Sequence, residues 1–502
     1  MSGHTDGLPR GWRLATLPEL VGDDGVLTDG DWVESVDQDP NGEVRLTQLA
    51  DVGDGVFRDR SDRYMTRAKA AELRCTFLEK GDVMIARMPD PLGRACLFPG
   101  AKQPCVTVVD VCIVRPGSAP LHTPWLMHFI NSPQFRAEVS SLQAGSTRKR
   151  ISKANLSTIA LPTPPQDEQQ QIASTIESHF SRLDAATATL ERVQRNLERY
   201  RASVLKAAVE GRLVPTEAKL AKKEGRSYEP ASVLLKRILA ERRRRWEEAE
   251  LAKLKAKGKP PTDGRWKAKY EEPAAPDTTD LPELPEGWCW TSVDAVGDVL
   301  LGRQRAPQYL TGRFSRPYLR VANIKDDRID FSDVEQMDFD DEHFAKYCLK
   351  AGDILVSEGQ SPELLGQSAI FRGGPEALCF QKTLHRFRPL RGGPSSEYAQ
   401  LVFRSHVRNG VFMRLGSITT NIAHLTLEKF RASPFPLAPQ REQDRIVDSA
   451  GRQLSMTDAI DGEVSAQLAR IARLRQSILK WAFEGRLVDP DDDEAAGPVA
   501  RR

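Results

Sequence analysis

The stretch Ser203-Val-Leu-Lys-Ala-Ala-Val-Glu-Gly-Arg-Leu-Val214 returns as Ser477-Ile-Leu-Lys-Trp-Ala-Phe-Glu-Gly-Arg-Leu-Val488, with nine of twelve positions identical. The copies lie 274 residues apart in a chain of 502. That spacing is far longer than the ~20–50 residues of a solenoid repeat. It describes one unit made twice. A duplicated unit predicts internal pseudo-two-fold symmetry.

The same offset can be followed in both directions. Leu8-Pro9-x-Gly11-Trp12 matches Leu284-Pro285-x-Gly287-Trp288, and Gln48-Leu49-Ala50-Asp51-Val52 matches Arg320-Val321-Ala322-Asn323-Ile324. Leu78-x-x-Gly81-Asp82 matches Leu349-x-x-Gly352-Asp353, and Gly93 to Phe98 matches Gly366 to Phe371. Pro165-Gln166-x-Glu168-Gln169-x-x-Ile172 matches Pro439-Gln440-x-Glu442-Gln443-x-x-Ile446. The common order of these matches argues for duplication.

Each half changes texture at the Pro-Gln-x-Glu-Gln element. Before it, short apolar runs (Val83 to Ala86, Val106 to Val114, Asp353 to Val356) stand between Gly and Pro and predict strands and turns with an occasional helix. After it, Ile172, Ile176, Phe180, Leu183, Leu190, Val193, Leu197, Tyr200 and Val204 recur mostly three and four apart. Val464, Leu468, Ile471, Leu474, Ile478 and Trp481 keep the same rhythm. This is a heptad-like stripe on a long helix. Pro and Glu suit each start, and Gly211 and Gly485 suit each stop. A helix of ~40 residues is about 60 Å long, too long for one compact domain to cover. The expected architecture is two α/β (α+β) globular domains separated by two long helices that pair as an antiparallel coiled coil.

The expected boundaries are a first globular domain over 1–163, a helix over 164–215, a charged helical segment and Pro-rich linker over 216–283, a second domain over 284–437, a second helix over 438–490, and a tail over 491–502 expected to be disordered. The run Arg242-Arg243-Arg244-Arg245-Trp246 in the middle segment reads as a solvated helix face before it reads as a nucleic-acid site.

Formal net charge is +2, so no overall polycationic signature is present, although local basic surfaces are allowed. The seven cysteines form no Cys-x-x-Cys pair, which points to reduced thiols in a cytoplasm and to no structural zinc. No apolar leader or membrane-length apolar run is present. Phosphate-loop, dinucleotide-turn, Asn/Asp-Pro-Pro-Tyr/Phe, His-Glu-x-x-His and Gly-x-Ser-x-Gly motifs are absent. Asp353 and Glu358 do not complete a nuclease motif, because Gly359-Gln360 follows where a Lys is needed. No catalytic or metal-ligating residues are expected.

The duplicated set, with the helix-opening 164–170 and 438–444, the helix-closing Glu-Gly-Arg-Leu-Val and the central Leu-Ala-Glu-Arg-Arg-Arg-Arg-Trp (239–246), resembles the specificity subunit of type I restriction–modification systems. The resemblance covers essentially the whole chain. It implies two target recognition domains reading the halves of a split, asymmetric sequence in double-stranded DNA. It also implies helices that dock two methyltransferase subunits, with motor–nuclease subunits joining for restriction. S-adenosylmethionine, ATP and magnesium would be used by those partners and not by this chain. A coiled-coil scaffold that reads no DNA, or a nuclease with a degenerate site, are the competing readings.

Base edges are read by side chains such as Arg, Lys, Asn and Gln, and phosphate contacts set the register. The leading candidates are Thr147, Arg148, Lys149, Arg150 and Lys153 in a basic loop before the first long helix. Their counterparts are Thr419, Thr420, Asn421 and His424, in a stretch with the same Gly and Ile frame but other polar residues. Further candidates are Gln48, Arg87 and Arg94 in the first half, and Arg320, Asn323, Gln360, Gln367, Gln381 and Lys382 in the second.

Overall fold

The computed structural model describes residues 8–487, apart from 89–90, 146–147, 259–260, 262, 274, 280 and 420–421. The chain forms two compact units that are not contiguous in sequence. Unit 1 holds residues up to Arg192 together with those from Val464 onward, and unit 2 holds Val193–Glu463.

Unit 1 contains three sheets. Val26–Asp29, Val111–Arg115, Val83–Ala86 and Ala95–Leu97 form a four-stranded antiparallel sheet in that order. Arg63–Met65, Val44–Thr47 and Cys105–Thr107 form a three-stranded sheet, the last pair parallel. Arg13–Ala15 pairs with Leu161–Thr163, closing the domain's first strand onto its last. The apolar run Val106 to Val114 holds parts of two strands. The amide of Val111 donates to the carbonyl of Val108 at 3.0 Å, and the turn sends the chain from the three-stranded sheet into the four-stranded one.

Unit 2 repeats this plan with its own residues. Gly297–Leu301, Leu384–Pro389, Ile354–Ser357 and Ser368–Ile370 make the four-stranded sheet. Glu335–Asp338, Ser315–Leu319 and Cys379–Phe380 make the three-stranded one, again with the last pair parallel. Cys289–Ser292 pairs with Pro434–Leu437.

The repeated Gly-Asp pair owes its place to this sheet. Gly81 (φ 94°) and Gly352 (φ 92°) take the left-handed turn that suits glycine. The following Asp82 then accepts from Arg115 Nε at 2.7 Å and from the Glu79 amide at 2.8 Å. Asp353 does the same with Arg388 Nη2 at 2.6 Å and the Lys350 amide at 2.8 Å. Both carboxylates are buried and fully engaged, so Asp353 is a structural residue of the sheet.

The long helices are Gln166–Val209 and Gln440–Phe483. In unit 1, Ile172, Ala173 and Ile176 share a core with Ile478, Leu479, Ala482 and Phe483, while Asp184 pairs with Arg475. Rising numbers on one helix meet falling numbers on the other, so the segments run antiparallel. In unit 2, Val204, Leu205 and Ala208 pack with Ile446, Ala450 and Leu454, and Arg201 reaches Asp458 at 2.8 Å and Asp461 at 3.2 Å. The heptad stripe is only partly inward: Tyr200, Leu474 and Trp481 are exposed.

The charged segment after the first helix is more than a linker. Glu217–Glu224 and Ala231–Ala256 are helices and Arg265–Lys269 a 3-10 turn. Ala231, Leu234 and Ile238, spaced three and four apart on one face, bury in the core of unit 2. Among the described residues, no helix is long and apolar enough to cross a membrane.

Candidate nucleic-acid interface

In unit 1 the basic loop stands on a fixed base. Ala144 and Arg150 exchange both backbone hydrogen bonds at 2.9 Å, closing a short hairpin whose tip, including Thr147, lies outside the described residues. Ile151 is buried and its amide donates to the carbonyl of Arg87 at 3.1 Å. Arg87 in return donates from Nη1 to the carbonyl of Ile151 at 3.1 Å. Its Nη2 binds the carbonyl of Val109 at 2.6 Å, and its Nε lies 3.0 Å from Asp29. Burial raises the Asp29 carboxyl above its ordinary value, against the opposing pull of Arg87 and Lys153. Ser152 then caps the helix Lys153–Thr158 by accepting from the Asn155 amide at 3.0 Å. Arg148, Lys149 and Arg150 are exposed on this anchored base.

Arg87 therefore positions the loop. Beside it, a 490 Å³ cleft is lined by Asp31, Trp32, Gln48, Val108, Val109 and Asp110. Gln48 is half-buried there, next to Trp32, whose ring is 70% exposed. Sequence reasoning passed over Trp32, whose only signal is a large aromatic in a polar, Gly- and Asp-rich stretch.

In unit 2 the corresponding hairpin is more regular. Ser417–Thr419 pairs with Ile422–His424, which pairs in turn with Gly359–Gln360. Thr419 sits at the end of its strand, and Thr420 and Asn421 lie outside the described residues. The base is held by the Leu425 amide donating to Glu358 O at 2.7 Å, by His385 Nε2 at 2.7 Å from Leu425 O, and by Lys429 Nζ donating to Ser417 Oγ at 2.8 Å. His424 Nδ1 lies 3.4 Å from Glu358, and Gln360 flanks it across the strand pair.

The remaining candidates divide. Gln381 and exposed Lys382 follow the short strand Cys379–Phe380, where the Gln381 amide donates to Leu319 O at 2.9 Å and so lies beside Arg320. Arg320 is spent on ion pairs with Asp333 and, at 3.0 Å, Glu335. Gln367 is half-buried in a separate 410 Å³ cleft with Asp326, Arg404 and Arg408.

Two candidates are internal, and this corrects the expectation that they face DNA. Arg94 is buried, with Nε on Val52 O at 2.8 Å and Nη2 on Leu49 O at 3.1 Å. Buried Asn323 donates from Nδ2 to Asp330 O at 2.9 Å and Asp333 O at 2.8 Å, stapling a turn. A buried polar group must satisfy its hydrogen bonds internally, and both do so.

Comparison with known proteins shows what the chain is similar to. Residues 76–196 match the type I restriction modification DNA specificity domain. That stretch holds three of the four strands of the four-stranded sheet, the basic hairpin and the first part of the first long helix. Along most of its length the chain is also similar to two curated relatives. It is 24% identical over 366 residues to the type I restriction enzyme EcoKI specificity subunit of Escherichia coli K12, covering 72% of this chain and 65% of that protein. It is 25% identical over 424 residues to the EcoAI specificity subunit of Escherichia coli, covering 74% of this chain and 67% of that one. The chain thus spans about two thirds of the length of these relatives. A solved structure concerning complex assembly and conformational transition of the type I R-M system shares the fold, at a TM-score of 0.58 and 17% identity, covering 95% of this chain and 99% of that one. The chain thus carries a type I restriction modification DNA specificity domain over residues 76–196 and is similar along most of its length to type I specificity subunits.

Proposed function

We propose that this chain is the non-catalytic DNA-recognition subunit of a type I restriction–modification complex. Each unit reads one half of a bipartite, asymmetric target. The reading is carried by one observation: both units lift a hairpin from an anchored base at the same point of the same fold, with different polar residues above it. Arg148, Lys149 and Arg150 crown one hairpin, while Thr419 adjoins the tip of the other and His424 stands at its base opposite Ser417. A shared frame with divergent tips suits two readers of two different half-sites.

In this account the long helices form an antiparallel coiled coil related by a pseudo-two-fold, and fix the number of unread base pairs between half-sites. Their exposed apolar residues serve two methyltransferase subunits, with motor–nuclease subunits joining for restriction. Methyl transfer with S-adenosylmethionine, and translocation and cleavage with ATP and magnesium, belong to those partners. The protein works in the cytoplasm, where the chromosome is. Methylome sequencing of the host with and without the gene tests the reading. Loss of one bipartite methylated motif is expected, and an unchanged methylome overturns it.

A further inference from the structure

The charge in the segment between the two long helices is distributed in two different ways. Each arginine of the run 242–245 has a carboxylate partner. Arg242 reaches Asp294 at 2.9 Å, Arg243 reaches Glu247 at 3.4 Å, Arg244 reaches Glu241 at 2.8 Å and Arg245 reaches Glu241 at 2.9 Å. That run is electrically spent. The next stretch is not: Lys253, Lys255, Lys257, Lys259, Arg265, Lys267 and Lys269 stand against the single acidic residue Asp263.

The fold gathers these cations. After Ala231–Ala256 ends, the chain reverses and lays Arg265–Lys269 back along the helix. Trp266 stacks on Trp246 with ring centroids 6.1 Å apart, Tyr270 meets Trp246 edge-on at 5.3 Å, and Lys267 pairs with Glu247 at 2.7 Å. Lys255, Lys257 and Lys269 are exposed and have no ion-pair partner among the described residues. From residue 246 to residue 257 the helix runs about 16 Å at ~1.5 Å per residue, a span over which duplex DNA presents several phosphates on each strand. A helix C-terminus favours a lysine or two, but that does not account for the cations of the returning turn.

This platform is tied to the candidate reading surface of unit 2. Arg242 holds Asp294, which lies 3.7 Å from Arg431. Arg431 shares the short helix Leu427–Ala432 with Lys429, whose Nζ binds Ser417 at the hairpin base.

We propose that the platform of Lys255, Lys257 and Lys269, buttressed by Trp246, Trp266 and Tyr270, grips the phosphate backbone of duplex DNA flanking the half-site read by unit 2, without reading sequence. The inference rests on the DNA-reading function proposed above. It extends the footprint beyond the half-site read by unit 2.

The test uses the full chain co-expressed with its methyltransferase and a 40-base-pair duplex of arbitrary sequence, titrated over several salt concentrations. The variant K255A/K257A/K269A is expected to lower affinity, with the log–log salt slope falling by about 0.9 for each phosphate no longer neutralised. Lys236→Ala, on the same helix outside the platform, is expected to leave both unchanged. An unchanged slope in a folded triple variant, beside a wild type that binds, overturns the platform alone. A wild type that binds no such duplex overturns the platform, while the reading function is decided separately by the methylome test. An unchanged slope with loss of the methyltransferase from the complex assigns the surface to that protein and overturns the DNA proposal.

Discussion

The indole Nε1 of Trp288 donates to Oε1 of Glu442 at 2.9 Å, joining two sequence motifs 154 residues apart. Trp12 and Glu168 repeat the bond in unit 1 at 2.8 Å. A third motif closes on each pair. Gly211 (φ 65°), ending the first long helix, packs against Pro285 and Trp288, and Gly485 (φ 67°), ending the second, packs against Pro9. The residues that announced the duplication are those of one joint built twice. Each joint fastens a domain's first residues to the opening of its own helix and the closing of the other.

The joint of unit 2 is the more buried. Burial raises the Glu442 carboxyl above its ordinary value, opposed by hydrogen bonds from the Glu217 amide and Trp288. Trp288→Phe removes one of those donors and is expected to lower stability by about 1–3 kcal/mol. Trp12→Phe is expected to cost less, because half-buried Glu168 can take water instead. Denaturant titration of both variants checks the order, and equal losses would refute it.

Replacing Arg148, Lys149 and Arg150 together with alanine should weaken binding to cognate duplex and lower its log–log salt slope by about 0.9 for each phosphate that the loop neutralises. If one of them pairs with a guanine edge, its single replacement should cost about 1–3 kcal/mol and relax one base position. Assembly with the methyltransferase should survive, since the loop precedes the long helix. Titrations on cognate and singly substituted sites check this, and unchanged affinity, slope and motif would exclude the loop from DNA.

Arg94 should behave in the opposite way. Arg94→Lys strands buried carbonyls at Leu49 and Val52 and is expected to cost about 1–3 kcal/mol of stability. The salt slope of the folded fraction should not change. A lowered slope at full stability would return Arg94 to the interface.

Acid should weaken both units. Burial lowers His128 in unit 1 to about 4, and likewise His385 and His406 in unit 2. Their folded values lie below the ordinary 6.5, so the unfolded chain binds more protons between the two. Stability from these groups is therefore complete above about pH 6.5 and is lost as pH falls toward 4, by up to ~1.4 kcal/mol per pH unit for each histidine. Limited proteolysis between pH 7.5 and 5 should show cleavage in both units rising as the pH falls. Cleavage that does not change with pH in either unit would contradict this.

The duplication, the two long helices and the strand-rich texture were legible because they rest on identity at a fixed offset and on periodicity. Other features depend on tertiary packing that no local pattern carries. Val106 to Val114 reads as one apolar run, yet Val108 to Asp110 turn between two sheets. Arg94 and Asn323 carry the side chains of a DNA reader, and only the carbonyls around them show that they are bolts. The middle segment looked like solvated charge and linker because its anchor is three residues, Ala231, Leu234 and Ile238, within a polar helix. The basic hairpin was found because its Gly and Ile frame recurs, while its support by Arg87 comes from a strand far away in the chain.

The most direct test of two independent readers is an exchange of residues 8–160 for those of a relative with a different target, followed by methylome sequencing of a host carrying the hybrid and the methyltransferase. The account predicts a new bipartite motif in which one half changes while the other half and the gap between them are retained. A hybrid that assembles with the methyltransferase but changes both halves, or neither, would contradict it.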